Sequence, residues 1–208
     1  MPARVWGHEA AARQIAKYKT SILDQVASAF RKERPALAEE IAQIDIYPPE
    51  LTVGDRATLH LGNRKVQVLY LPGHTPASLG VYLPAERILF AGDNIVNNEP
   101  PTMVHANTLA WIDTLRRIQR MEVDLLVPGA GEPCGKDVIE PLIDYITEMR
   151  RRVAELFKAG ASRREVVEKI GLLEYYPMPE NQAARIKRRR RENVERVYTE
   201  VRSAQRRQ

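Results

Sequence analysis

The sequence predicts a mixed α/β fold of the α+β kind, in which largely antiparallel sheets are covered by helices. Three observations carry the prediction. Stretches near both ends of the chain repeat apolar residues every three or four positions, the helical period. Between them lie short apolar runs in pairs closed by turn residues, which read as hairpins. Beyond the hairpins strand and helix alternate, the pattern of sheets with helices laid on them.

Element by element, Glu9 to about Arg31 carries Ile15, Tyr18, Ile22, Val26 and Phe30 at helical spacing in an alanine-rich stretch. Pro35 suits a first helical turn, and Leu37, Ile41 and Ile44 follow it until Pro48 and Pro49 end the helix. Ala57 to Leu61 and Lys65 to Leu71 are strands joined by Gly62-Asn63. A second hairpin pairs Ser78 to Leu83 with Arg87 to Ala91 around Pro84-Ala85-Glu86. After a loop holding Pro100 and Pro101, Leu109, Ile112, Leu115 and Ile118 mark one side of a helix. A strand from Asp124 to Val127 runs into Pro128-Gly129. Helices follow over Val138 to about Phe157, with Leu142, Ile146, Met149 and Val153 inward, and over Ser162 to Ile170. The last helix begins near Glu180 and carries Ile186, Val194, Val197 and Val201. Ala3 to Trp6 reads as the end of a strand feeding the first helix, either an edge strand or the middle of a fold.

The chain has 208 residues, 44% apolar and 28% charged, which excludes a disordered or collagen-like protein. A chain of this length buries on the order of 70% of its unfolded surface, so it needs no disulfide, and its single Cys134 cannot form one internally. No run approaches the roughly 18 apolar residues of a membrane span and no secretory h-region follows Met1, so the expected location is cytoplasmic, with no membrane partner. The net charge of +5 is unevenly placed. Residues 181–208 hold 10 Lys and Arg against 3 Asp and Glu, which makes the tail basic and leaves the body mildly acidic.

Chemistry concentrates in LPGHTPASLGVYLPAERILFAGD, residues 71–93. If the hairpin turns about Ala85 and Glu86, Leu83 faces Ile88 and Ser78 faces Asp93, so Asp93 returns to the end of the hairpin where His74 lies. An imidazole and a carboxylate at strand ends suit zinc, iron or manganese, and Gly73 and Gly92 beside them would let the backbone turn sharply and approach an ion. On spacing alone, Asp93 reads equally as a turn cap and His74 as a surface loop residue.

At these residues the sequence resembles the metallo-β-lactamase superfamily of hydrolases. The resemblance rests on LPGHTPASL with His74, ILFAGD with Asp93, and DLLVPGAGEPC over residues 124–134, separated by a helix containing Trp111. It covers roughly residues 3–150 and implies an αββα sandwich with a metal site along one sheet edge, where His74 is a ligand and Asp93 bridges two ions. It also implies the organisation: a partial domain over residues 1–150, N-terminally truncated, then a helical C-terminal extension over residues 151–208 with a basic last helix.

Two departures qualify the expectation. The family's His-x-His-x-Asp-His motif precedes a helix like that of Glu9 to Arg31, and the sequence contains no such motif. The family's last ligand is a His in the segment that reads VPGAG here, and Ala130 stands in its place. A catalytic zinc normally takes three protein ligands and keeps one position open, and this chain supplies two. Of the other donors, His8 suits a cap, His60 lies in a strand, His105 follows Asp93 in a loop, and Cys134 suits a small buried hydrophobe. No Asp, Ser or Cys forms a nucleophile and base pair that would replace a metal.

The run Lys187 to Arg191 spreads around a helix rather than along one stripe, and no aromatic residue interleaves with it for base stacking. It reads as a solvated face, and no nucleic-acid partner is expected. The expected function is hydrolysis of an ester, thioester or amide by metal-activated water, with an incomplete metal site and catalytic residues unassigned. The alternative is a non-catalytic remnant acting as an association or binding module. Expected partners are a small-molecule substrate if the chain is active, and a second copy or a complementing chain over a sheet edge or apolar face left open at the start of the chain.

Overall fold

A computed structural model describes residues 4–176 and 180–206. Two compact units are present, Met1–Asp55 and Arg56–Gln208. The division expected at residue 150 falls inside a helix of the second unit.

In the first unit, β1 (Trp6–His8) leads directly into α1 (Glu9–Phe30). The start of α1 is fixed by His8, whose Nδ1 accepts from the backbone N–H of Ala10 at 3.1 Å. After α2 (Pro35–Ala42), opened by proline as the sequence predicts, β2 (Leu51–Val53) lies parallel to β1 with Trp6 opposite Leu51. Hydrophobic periodicity does not mark β2, because three residues are too few to show alternation. Gly7 is required here: a Cβ on it would lie 2.8 Å from the Pro49 ring.

The second unit is built on a five-stranded sheet in the order β3-β4-β5-β6-β7, made of β3 (Arg56–Leu61), β4 (Arg64–Tyr70), β5 (Leu79–Leu83), β6 (Ile88–Val96) and β7 (Leu125–Ala130). The first four are antiparallel neighbours, and β7 lies parallel to β6. Both predicted hairpins are present. Leu61 pairs with Arg64 across a turn in which Gly62 takes φ +62°, and Leu83 pairs with Ile88 in the predicted register. Strand β7 was expected to end at Val127 but continues through Pro128-Gly129-Ala130. As the last strand of its sheet it tolerates a proline, which removes a donor that a central strand would need.

Helices α3 (Thr108–Arg120), α4 (Ile139–Lys158), α5 (Arg163–Lys169) and α6 (Ala183–Gln205) belong to the same unit. One apolar cluster joins Leu71, Leu89, Ile95 and Leu126 of the sheet region to Trp111, Leu115 and Ile118 of α3. Leu142, Ile146, Met149 and Val153 of α4 and Val194, Val197 and Val201 of α6 extend it. Leu109, expected on the inner side of α3, is 56% exposed. Ile112, Leu115 and Ile118 are buried as expected, and Thr108, Trp111 and Thr114 complete the buried face.

The last helix does more than present a solvated basic face. Asn193, fully buried on α6, accepts from the N–H of Met103 and donates to the carbonyl of Pro101, each at 2.8 Å. Arg189 donates to Glu99 at 2.7 Å and to the carbonyl of Pro100 at 2.8 Å, and Arg196 donates to the carbonyl of Ala106 at 2.7 Å. Glu200 accepts from the N–H of Thr108 at 3.1 Å and pairs with Arg150 at 2.7 Å. The loop over residues 99–107 is thereby held by α6 along its length. Arg188 and Arg191 fit the solvated reading, pairing with Glu192 and Glu195 of their own helix. Among the described residues no helix is long and apolar enough to cross a membrane.

Candidate functional site

His74 lies in the loop after β4 and Asp93 lies within β6, and the hairpin register brings them together: His74 Nε2 is 3.5 Å from Asp93 Oδ2. The imidazole is the more enclosed partner, with 20% of its side chain exposed against 53% for the carboxylate.

Three contacts fix the ring and its backbone, and Asn94 is itself held by two more. His74 Nδ1 lies 2.9 Å from the carbonyl oxygen of Thr102. A carbonyl can only accept, so this contact puts a proton on Nδ1 and turns Nε2 toward Asp93. The ring meets Trp111 edge to face, with centroids 5.5 Å apart. The backbone N–H of His74 donates to Asn94 Oδ1 at 3.0 Å. Asn94 Nδ2 donates to the carbonyl of Leu71 at 2.6 Å, and the carbonyl of Asn94 accepts from the Trp111 indole at 2.9 Å. Asn94 is buried, so these bonds satisfy groups that water cannot reach.

The glycines act differently from the sequence-based expectation. A Cβ on Gly73 would lie 2.7 Å from the Cα of Trp111, so this glycine lets α3 approach the His74 loop rather than admitting an ion. Gly92 takes φ +54° with open space around it, so its role is conformational. A Cβ on Gly129 would fall 2.2 Å from Asp93 Oδ1, which places the β7 backbone against the carboxylate. The next residue, Ala130, pairs with Val96, accepts from the N–H of Asn97 at 3.0 Å and packs against the apolar core.

The remaining candidate donors have other surroundings. His8 caps α1 in the first unit, His60 is an exposed member of β3 opposite Lys65, and His105 is exposed. Cys134 forms a two-way backbone bridge with Leu126 and lines a cleft beside Asp137. Burial, and then the charge of Asp137, push its thiol pKa above the ordinary value, away from the thiolate that a metal needs. Among the described residues no group of three or more His, Cys, Asp or Glu is arranged to hold a metal ion. His74 has the tautomer and second-sphere support typical of a ligand, but two donors do not make a complete zinc site, so the residues present do not fit a resident catalytic ion.

Asn94, Thr102 and α6 were not legible as parts of this site. The available signal was Asn94 itself, an amide followed by the apolar pair Ile95-Val96 within a strand, where Asn is depleted.

Comparison with known proteins places these observations. The sequence profile of the metallo-beta-lactamase superfamily matches residues 4–130. The linear primary-alkylsulfatase of a Pseudomonas species is 27% identical over 150 residues, which cover 65% of this chain and 28% of that protein. Among solved structures, a metallo-beta-lactamase family protein from Thermus thermophilus has a TM-score of 0.62 at 19% identity, covering 98% of this chain and 67% of the other. The stereoselective inverting sec-alkylsulfatase Pisa1 from Pseudomonas sp. has a TM-score of 0.63 at 15% identity, covering 95% of this chain and 36% of the other. Both structural likenesses are of fold, and at these coverages both continue past residue 150 into the C-terminal helices.

Proposed function

Because the chain belongs to the metallo-beta-lactamase superfamily, whose members here include hydrolases, we propose that it carries part of a metal centre of the kind that hydrolyses an ester, thioester or amide, incomplete in these residues, with His74 and Asp93 as the part that this sequence supplies. Members of the superfamily generally bind zinc or other metals. One observation supports the reading above the others: His74 is held with Nδ1 on the carbonyl of Thr102 and Nε2 toward Asp93, an orientation that a surface loop histidine has no reason to adopt. Within the ester class, alkyl sulfates are the first substrates to try, since the relative covering 65% of the chain is a linear primary-alkylsulfatase.

A second reading, a non-catalytic association module, is favoured by Ala130, whose methyl group packs on the core where the family carries a ligand. The two readings separate in one experiment. Zinc content after dialysis and hydrolysis of 4-nitrophenyl acetate and of an alkyl sulfate are measured on the wild type and on Ala130→His. The hydrolase reading predicts a wild type that retains little zinc and reacts at the background rate, and an Ala130→His variant that binds zinc more tightly and gains hydrolysis above background, since residue 130 follows Gly129, whose backbone lies against the Asp93 carboxylate. Equal zinc content in the two proteins rejects that geometry and leaves the association reading.

A further inference from the structure

The second unit carries an open cleft of about 770 Å³, separate from the His74 and Asp93 pair and lined by residues from the end of β6, the segment before α4 and the segment after α5. Its volume is in the range of small-molecule sites. Asn97, Cys134, Asp137, Val138, Tyr175 and Tyr176 give it its chemistry.

Charge is the first constraint. The chain carries 32 Lys and Arg, yet among the described residues Asp137 is the only charged one in the lining. The adjacent Lys136 turns its ammonium away, to the carbonyls of Gln119 at 3.0 Å and of Met121. Asp137 itself has no hydrogen bond or ion pair among the described residues. Its carboxylate is thus an uncompensated negative charge at the rim.

Aromatic surface is the second constraint. Tyr176 and Tyr175 both stand edge to face with Tyr145, at centroid distances of 5.0 and 5.7 Å, so their rings are locked before any ligand arrives. At Tyr175 the acidic neighbours outnumber the basic ones. Burial first, and then Glu148, Asp144 and Glu174, push the Tyr175 hydroxyl above its usual value, against an opposing Arg152. Burial also raises the Tyr176 hydroxyl and the Cys134 thiol, and Asp137 is the one carboxylate among the described residues of the lining.

Fixed aromatic rings and a carboxylate that line one cleft, with no cation among its described lining residues, match one ligand chemistry. We propose that this cleft binds a small organic ammonium compound, its alkylated nitrogen against Tyr175 and Tyr176 and its charge balanced by Asp137. This does not depend on the hydrolase reading, because no residue of the cleft is shared with the His74 and Asp93 pair.

The test is calorimetric titration of the whole chain with choline and with 3,3-dimethylbutan-1-ol, the neutral compound of nearly the same shape. Choline binds with a millimolar or tighter Kd, and the neutral compound binds about tenfold or more weakly, the difference expected when a cation meets a partly desolvated aromatic and carboxylate site. Asp137→Asn, at an exposed position that leaves the fold intact, weakens choline by about the same factor and leaves the neutral compound unchanged. Tyr175→Leu supplies a second variant, which weakens choline while retaining the charge. Equal affinity for the two compounds, no effect of Asp137→Asn, or no choline binding at millimolar concentration overturns the proposal.

Discussion

A histidine becomes a candidate ligand only when something holds its ring, and here that work falls to residues with no metal chemistry of their own. Asn94 is central, because one buried amide accepts from the N–H of His74 and donates to the carbonyl of Leu71. Replacing it by the nearly isosteric Leu leaves two buried backbone groups without partners, at about 1–3 kcal/mol each. Asn94→Leu should therefore lower the denaturant midpoint substantially and should speed exchange of the His74 Nδ1 proton in NMR spectra. An unchanged midpoint with slow exchange would show that the loop is held by other contacts. The convergence of His74 and Asp93 was legible because strand register has period two and the turn fixes its phase. Asn94 was not, because its role depends on Leu71 and Trp111, 23 and 17 residues away, and no local pattern encodes such contacts.

The same contrast between local and remote partners appears in α6. Its apolar positions Ile186, Val194, Val197 and Val201 were legible from helical spacing, and all four are buried. Its polar contributions were not: Asn193 and Arg189 look like any solvated residues until the loop over 99–107 lies against them. That loop includes Thr102, the acceptor for His74, so the last helix supports the candidate site through the backbone. Val197→Asp removes about 1.5–3 kcal/mol of burial and adds an unpaired buried charge, and should lower the melting temperature by far the most in this helix. Arg188→Gln with Arg191→Gln removes only two pairs within the helix, worth about 0.2–0.5 kcal/mol each. Arg189→Gln should fall between them, since its guanidinium serves Glu99 and Pro100 together. Melting curves of the three proteins give the order directly, and an Arg189→Gln variant as stable as the wild type would show that the loop holds itself. If the basic run instead served nucleic acid, the Arg188 and Arg191 variant would lose salt-sensitive binding to a generic oligonucleotide while its melting temperature stayed unchanged.

For the whole molecule, the first unit sets the expected behaviour. Along α1, Ile22, Val26 and Phe30 recur at four-residue steps and are 42%, 41% and 36% exposed. Trp6 and Val5 at the start of the same unit are 39% and 51% exposed. Scattered apolar residues on a surface need no explanation, but a stripe on one helix face with an aromatic residue at its end does. The periodicity that identified α1 as amphipathic therefore names a face that the described residues cover only in part. A two-stranded parallel sheet also offers little independent stability, because each strand has one neighbour and a short ladder. Both features favour association, with a second copy of the chain or with another polypeptide, over an isolated monomer. Sedimentation velocity at micromolar concentration should show a species larger than 23.7 kDa. Ile22→Glu with Val26→Glu should return the protein to the monomer without unfolding the second unit, whose apolar cluster contains neither residue. A wild type that sediments as a stable monomer would reject the association. A double variant that stays assembled would move the contact off α1 and onto the exposed edges of the β1 and β2 pair.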